Sequence, residues 1–358
     1  MAVHFHPLRI RNIRKETADC VSISFDIPAD LVSTFAYKEG QNITIKKILA
    51  GEELRRSYSI CAAPHENELR VAVKKMSGGA FSQFANEGLH EGDMLEVLPP
   101  TGKFNAKLHT EATANYLAIA AGSGITPIMS IIKHTLHSQI NSSFTLVYGN
   151  RDRNSIIFFD DLEGLKNKYM NRFNFINILS RERTDAEIFY GRIDEKKLSA
   201  LGRLLPYNSF NEIYLCGPEE LIFTADDFLQ KQGLAKTNIH FELFTTPGQK
   251  QYTTITKETT TDSGPKSNIT IRLDGRSFDF DLNFNSSSIL DAALQQGADL
   301  PYACKGGVCA TCRAKLLEGE VDMDTNYALE QEEVEQGFIL TCQSHPRTKK
   351  VIVDFDIK

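Results

Sequence analysis

A chain of 358 residues has room for two or three domains, each able to bury a core of its own. Hydrophobic residues make up 41% and charged residues 24%, which excludes a disordered chain. No apolar run approaches the ~18 residues of a membrane-spanning helix, so no membrane partner is expected. The opening stretch MAVHFHPLRIRNIRK lacks the uninterrupted apolar core of a secretory signal, and the expected compartment is the cytoplasm. The net charge of −6 is carried entirely from Ser267 onward, where 15 acidic residues face 9 basic ones. That balance argues against nucleic acid as a partner and points to a basic protein surface or a merely solvated face.

Residues 1–107 read as short strands, Cys20–Ile27, Gln41–Lys46, Ser57–Cys61 and Glu68–Lys74, punctuated by Pro28, Gly40, Gly51 and Pro64. The spacing predicts a small antiparallel β-barrel. Within it, Arg56-Ser57-Tyr58-Ser59-Ile60 suits a flavin. Tyr58 offers a flat face to stack on the ring, Arg56 can pair with a diphosphate, and the Ser59 hydroxyl can reach the reactive ring nitrogen. Further on, Gly78-Gly79-Ala80-Phe81-Ser82 opens a helical stretch and forms an anion nest for phosphate. Cys20 and Cys61 stand singly in expected strands, where core packing explains them.

Residues 108–245 alternate apolar runs with helical patterns. Runs at Tyr116–Ala121, Phe144–Tyr148, Phe173–Leu179 and Ile213–Leu215 are interleaved with helical stretches at Pro127–His137, Phe158–Lys168 and Pro218–Gln232. Such alternation predicts an α/β domain with a parallel sheet. Gly122-Ser123-Gly124-Ile125-Thr126-Pro127 follows the first run and opens a helix, where glycines allow close backbone approach and the helix N-terminus favours a pyrophosphate. Pro127 stands where a dinucleotide fingerprint has its third glycine.

Residues 246–266, rich in Thr, Lys, Gly and Pro, read as a tether. Residues 267–358 then form a small α+β domain. Asn268–Leu273 and Ser277–Leu282 make a hairpin around Asp274-Gly275, followed by a helix at Ile289–Gln296 and a closing strand at Val351–Ile357. Four of the seven cysteines fall here. Cys304, Cys309 and Cys312 form C-x4-C-x2-C, with Cys342 after 29 further residues. That is the spacing of a plant-type 2Fe-2S cluster, whereas structural zinc favours paired C-x2-C units, of which there is one. Gly306 and Gly307 let backbone N–H groups turn toward the sulfurs.

The last segment resembles plant-type ferredoxins, which implies a β-grasp fold with Cys304, Cys309, Cys312 and Cys342 as ligands. By the same resemblance the acidic run Asp322–Glu335 could dock a partner. The first two segments resemble the ferredoxin–NADP reductase superfamily. That resemblance implies that the Val73 and Lys74 backbone and Gly79, Ala80, Phe81 and Ser82 hold the rest of the flavin nucleotide. It also implies that Gly122, Ser123, Gly124 and Thr126 bind the nicotinamide nucleotide, with the threonine facing the flavin. Cys216, in Cys216-Gly217-Pro218, would lie beside the nicotinamide ring. Ser180 and Arg181 resemble the superfamily's 2′-phosphate clamp, with Arg151 and Arg183 adding charge, so NADPH is favoured over NADH although Glu182 complicates the test.

Taken whole, the order flavin domain, nicotinamide domain, tether, iron–sulfur domain resembles the reductase components of multicomponent oxygenases, including the motifs LVYGNR, ILSRE and YLCGPEE. FAD, NADPH and a di-iron oxygenase as electron acceptor are what this resemblance implies, with FMN left open. A second reading is a non-catalytic flavin and iron–sulfur relay protein. Intact Gly122–Pro127 and Cys216–Pro218 segments favour the enzyme.

Overall fold

The structure is a computed structural model that describes residues 4–108, 113–184, 186–244 and 265–357. Nearly all of the expected tether lies outside the described residues; its last residue, Lys266, already opens a strand. The chain divides into two compact units, one of Pro7–Leu54 and Tyr58–Leu243, the other of Phe244–Lys358 with Met1–His6 and Arg55–Ser57.

In the first part of the chain β1 (His6–Thr17), β2 (Cys20–Asp26), β3 (Asn42–Leu49), β4 (Glu52–Ser59), β5 (Leu69–Lys74) and, after α1 (Ala80–Glu87), β6 (Met94–Val97) form a six-stranded sheet in the order β4-β3-β6-β1-β2-β5. Its end strands meet through the Ile60–Val71 bridge, and the Cys61 N–H donates to the Arg70 carbonyl at 2.9 Å, so the sheet closes into a barrel. Inward-facing Leu8, Ile10, Ile23, Ile43, Ile45, Val71 and Val97 fill it. The strand expected at Ser57–Cys61 begins earlier, at Glu52. Ala50 and Gly51 both take positive φ, 50° and 83°, which makes a two-residue turn whose twist matches a hairpin.

The nucleotide half runs β7 (Asn115–Ala121), α2 (Ile125–Ser138), β8 (Ser143–Asn150), α3 (Phe159–Lys168), β9 (Phe173–Leu179), α4 (Glu195–Leu201), β10 (Glu212–Cys216), α5 (Glu219–Lys231) and β11 (Ile239–Glu242). The sheet is parallel, in the order β11-β10-β7-β8-β9. Both faces are covered, which is why its strands read as continuous apolar runs rather than alternating ones. From β7 the chain first steps outward through β8 to β9, then returns to β10 and β11 on the other side. Strand order therefore reverses between β7 and β10, the place where open α/β sheets bind ligands at their carboxyl ends. Helix α2 ties this half to the barrel: Ser130 Oγ donates to the Ala62 carbonyl at 2.6 Å, and Lys133 pairs with Glu66 at 3.0 Å.

The C-terminal unit contains β12 (Lys266–Leu273), β13 (Arg276–Asn283), α6 (Ile289–Gln295), β14 (Arg313–Glu318), β15 (Val321–Met323), α7 (Gln331–Glu335), β16 (Phe338–Leu340), β17 (Ser344–Pro346) and β18 (Lys350–Asp354). A mixed five-stranded sheet, β13-β12-β18-β14-β16, packs Ile269, Ile271, Val351 and Val353 against Ile289, Leu290 and Ala293 of α6. The expected hairpin is present. Asp274 and Gly275 take φ of 53° and 69°, the left-handed pair that a two-residue turn needs. Among the described residues no helix is long and apolar enough to cross a membrane.

Candidate functional site

The flavin candidates lie on three elements of the barrel half, β4, the end of β5 with Val73 and Lys74, and the start of α1. Strand β4 carries Arg56, Ser57, Tyr58 and Ser59 in sequence, with Arg56 exposed and Ser59 only 5% exposed. The Tyr58 ring lies against Phe81 of α1, with centroids 5.7 Å apart. Helix α1 begins at Ala80 after Gly79, and no side chain caps it, so its first N–H groups remain available to an anion. Ser82 is used differently from expectation. Its hydroxyl accepts from the Met76 N–H and donates to the Gly79 carbonyl, both at 3.0 Å, and thereby shapes the loop. A Cβ on Gly79 would lie 2.5 Å from that oxygen. Lys74 pairs through its side chain with Asp19, at 3.6 Å.

At the switch point, the Gly122-Ser123-Gly124 turn after β7 lies against the Cys216-Gly217-Pro218 turn after β10. A Cβ on Gly124 would come 2.1 Å from the Cys216 carbonyl oxygen, so glycine is needed for the two turns to touch. Gly122 takes φ +54°, and a Cβ there would meet nothing within 4 Å, as expected of a position facing open space. The Thr126 hydroxyl is buried and donates to the Ser123 carbonyl at 3.0 Å, holding the turn. Cys216 is wholly buried. Burial, with Glu242 as a smaller contributor, pushes its thiol well above the ordinary cysteine range, so it stays protonated at neutral pH.

One residue of this site went unnoticed in the sequence. Glu242 ends β11 directly beside Cys216 of β10, and its carboxylate accepts a 2.8 Å hydrogen bond from the Ser59 hydroxyl of the barrel. A single glutamate closing a four-residue edge strand carries no motif. Only the convergence of barrel and sheet reveals it.

At the outer end of the sheet, Arg151 follows β8 and Ser180-Arg181 follow β9. The Arg181 N–H donates to the Arg151 carbonyl at 2.7 Å, which sets two exposed arginines side by side. The Glu182 carboxylate accepts from the Arg153 N–H at 2.8 Å. Arg183 lies over the Tyr190 ring, 6.0 Å from its centroid.

In the C-terminal unit the four cysteines gather in two pairs. The Cys304 N–H donates to Cys309 Sγ at 3.5 Å and the Gly306 N–H to Cys304 Sγ at 3.3 Å. A hydrogen bond from the Cys304 thiol holds the Cys309 thiol down at about 6 against the opposing effect of burial. In the second pair a hydrogen bond from Cys312 lowers Cys342, aided by the Gly307 N–H, while Cys312 itself is raised. Four gathered sulfurs with the Cys304, Gly306 and Gly307 N–H groups aimed at them would suit a 2Fe-2S cluster, which takes thiolate ligands. In the acidic run three carboxylates are ion-paired, Asp322 to Arg347, Asp324 to His345 and Glu333 to Arg313.

A closed antiparallel barrel, a parallel sheet with a glycine turn at its switch point, and a mixed sheet bearing four clustered cysteines define a flavin- and iron–sulfur-dependent oxidoreductase. Family models agree part by part: an oxidoreductase FAD-binding domain matches residues 7–106, an oxidoreductase NAD-binding domain 118–227, and a 2Fe-2S iron-sulfur cluster binding domain 271–347. Over 355 residues the chain is 45% identical to a subunit of 1,2-phenylacetyl-CoA epoxidase from Escherichia coli, covering 99% of this chain and 98% of that one. It is 32% identical to the ferredoxin reductase component of 3-ketosteroid-9-alpha-monooxygenase from Rhodococcus rhodochrous, over 97% of this chain and 96% of that one. Phthalate dioxygenase reductase shares the fold, with a TM-score of 0.57, 24% identity and 98% of each chain covered. The chain therefore belongs to the family of oxygenase reductase components that join FAD-binding, NAD-binding and 2Fe-2S domains.

Proposed function

We propose that this reductase draws electrons from NADPH through FAD and a 2Fe-2S cluster and delivers them to a di-iron oxygenase of the phenylacetyl-CoA epoxidase type, in the cytoplasm. The observation that carries the reading is the meeting of Ser59, Glu242 and Cys216, which brings the flavin-binding edge of the barrel to the carboxyl end of the nucleotide sheet. A flavin held here would supply the conversion between a two-electron nicotinamide donor and a one-electron iron–sulfur acceptor. The chain's own residues set the geometry. Tyr58 supplies a stacking face, Arg56, Ser57, the Val73–Lys74 backbone and the Gly79–Ser82 helix start hold the rest of the flavin nucleotide, and the neutral Cys216 thiol packs beside the nicotinamide without adding charge. Glu242 orients the Ser59 hydroxyl.

Gly122, Ser123, Gly124, Thr126, Gly217 and Pro218 line the nucleotide's approach, and Cys304, Cys309, Cys312 and Cys342 ligate the cluster. NADPH over NADH is supported by the adjacent exposed Arg151 and Arg181, with Ser180 beside them, and by the hydrogen bond of Glu182 to the Arg153 backbone. The domains are assigned as 1–107, 108–245 and 267–358, with 246–266 as the tether. The likeness to the Escherichia coli phenylacetyl-CoA epoxidase protein supports the choice of acceptor. Anaerobic addition of NADPH to purified holoprotein tests the whole scheme. Flavin absorbance bleaches first and the reduced-cluster EPR signal follows; no bleaching with either nucleotide would favour the non-catalytic relay instead.

A further inference from the structure

Ligation requires only the spacing of the four sulfurs, yet the residue directly after the last cysteine is a buried glutamine whose amide faces the ligand loop. Gln343 is 8% exposed. Its Nε2 lies 2.9 Å from the Lys305 carbonyl, 2.9 Å from the Cys342 carbonyl and 3.7 Å from Cys342 Sγ. Carbonyl oxygens only accept, so the nitrogen, not the amide oxygen, must occupy this position. The side chain thus joins the loop that carries three of the cysteines to the strand region that carries the fourth. Gly307 makes room for it: a Cβ there would lie 3.3 Å from Gln343 Cγ and 2.8 Å from the Thr325 carbonyl oxygen.

We propose that Gln343 tunes the reduction potential of the cluster by sharing with the Cys342 sulfur the N–H that it donates to the Cys342 carbonyl. The inference rests on the two-iron reading of the cysteines. A reduced cluster carries one more negative charge than the oxidised one. A desolvated N–H dipole pointing at a ligand sulfur stabilises the reduced form more, and so raises the potential. Most N–H groups around such sulfurs belong to the backbone and cannot be removed by substitution. This one can.

The test uses the full-length holoprotein, prepared without oxygen, as wild type and as Gln343→Met, which keeps similar length but donates no hydrogen bond. In redox titrations followed by EPR, the variant's cluster potential should fall enough to shift electron partition between flavin and cluster about threefold to tenfold against the cluster, at about 59 mV per tenfold for one electron. Iron and sulfide content should stay at the wild-type level. An unchanged potential with an intact cluster overturns the inference and leaves Gln343 a structural bridge. Should the variant not assemble, wild-type protein carrying ¹⁵N only in glutamine side-chain amides decides the matter by pulsed EPR. A hyperfine coupling to that nitrogen supports the proposal, and its absence defeats it. Lack of iron and sulfide in the wild type would instead strike at the two-iron reading itself.

Discussion

The nucleotide turn and the cysteine loop are both tight and glycine-bearing, but they are organised in opposite ways. Around Gly122–Gly124 the one left-handed residue is a glycine, for which that conformation costs almost nothing. The turn is then locked by packing, since Gly124 lies directly on the Cys216 carbonyl. In the cysteine loop, Lys305 and Ala310 adopt φ of 52° and 53° alongside Gly307 at 76°. Left-handed backbone costs about 1 kcal/mol or more at each non-glycine residue, and it persists only where surrounding interactions impose it. Local sequence suffices to preorganise the first turn. The second is held by contacts across the loop, among them the Gly306 N–H on Cys304 Sγ and the Gln343 amide on the Lys305 carbonyl.

The cysteines obey the same contrast. Cys216 is buried, with no donor among the causes that set its ionisation, so its thiol remains neutral. Cys309 is equally buried, yet hydrogen bonds from the Cys304 thiol, from Thr311 and from the backbone reverse the effect and favour the thiolate a metal needs. Burial alone therefore does not decide the ionisation of a cysteine; the donors around it do.

The largest expected effect breaks the comparison outright. Cys309→Ser should abolish the visible and EPR signals of the cluster while leaving NADPH-driven flavin bleaching at close to the wild-type rate; loss of both together would show that the two sites are not separable. Next comes the Ser59–Glu242 pair. Ser59→Ala and Glu242→Ala should each slow flavin reduction in stopped flow by about tenfold, some 1.4 kcal/mol. The double variant should be little worse than either single one, because each already removes the shared hydrogen bond.

Arg181→Ala should weaken NADPH binding by roughly tenfold and NADH by far less, the size expected for one hydrogen bond to a charged group; equal weakening of both would remove Arg181 from the phosphate. The smallest effect concerns pH. Because burial raises the Cys216 thiol, it bears a proton at every pH below that raised value, and the flavin reduction rate should show no inflection from it between about pH 6 and 9, roughly the ordinary thiol range. Alkylation at about pH 8, near the ordinary thiol value, should likewise spare Cys216 in the folded protein.

Much of this was legible along the chain. The C-x4-C-x2-C spacing, the Asp274-Gly275 turn and the buried parallel strands are local patterns, each with one dominant physical cause. The acidic run was legible only as composition. Folding pairs Asp322, Asp324 and Glu333 with basic neighbours, yet Asp322 and Asp324 stay exposed and only Glu333 is buried. The Ser82 hydroxyl, read from the sequence as a flavin contact, is consumed in shaping its own loop.

By itself the sequence determined the four strands β7 to β10, the Asp274-Gly275 hairpin and the ligand spacing of the sulfurs, because those depend on apolar runs, on turn residues and on distances of a few residues, whereas β1, β6, β11 and α4 carried no such local signal. Only the tertiary structure decided that Glu242 meets Ser59 across 183 positions of chain, that Glu182 serves the Arg153 backbone, and that the Gln343 amide faces the Cys342 sulfur. Those contacts arise from barrel closure, strand order and loop docking, where the free energy of the whole fold, rather than any local preference, selects which side chains meet.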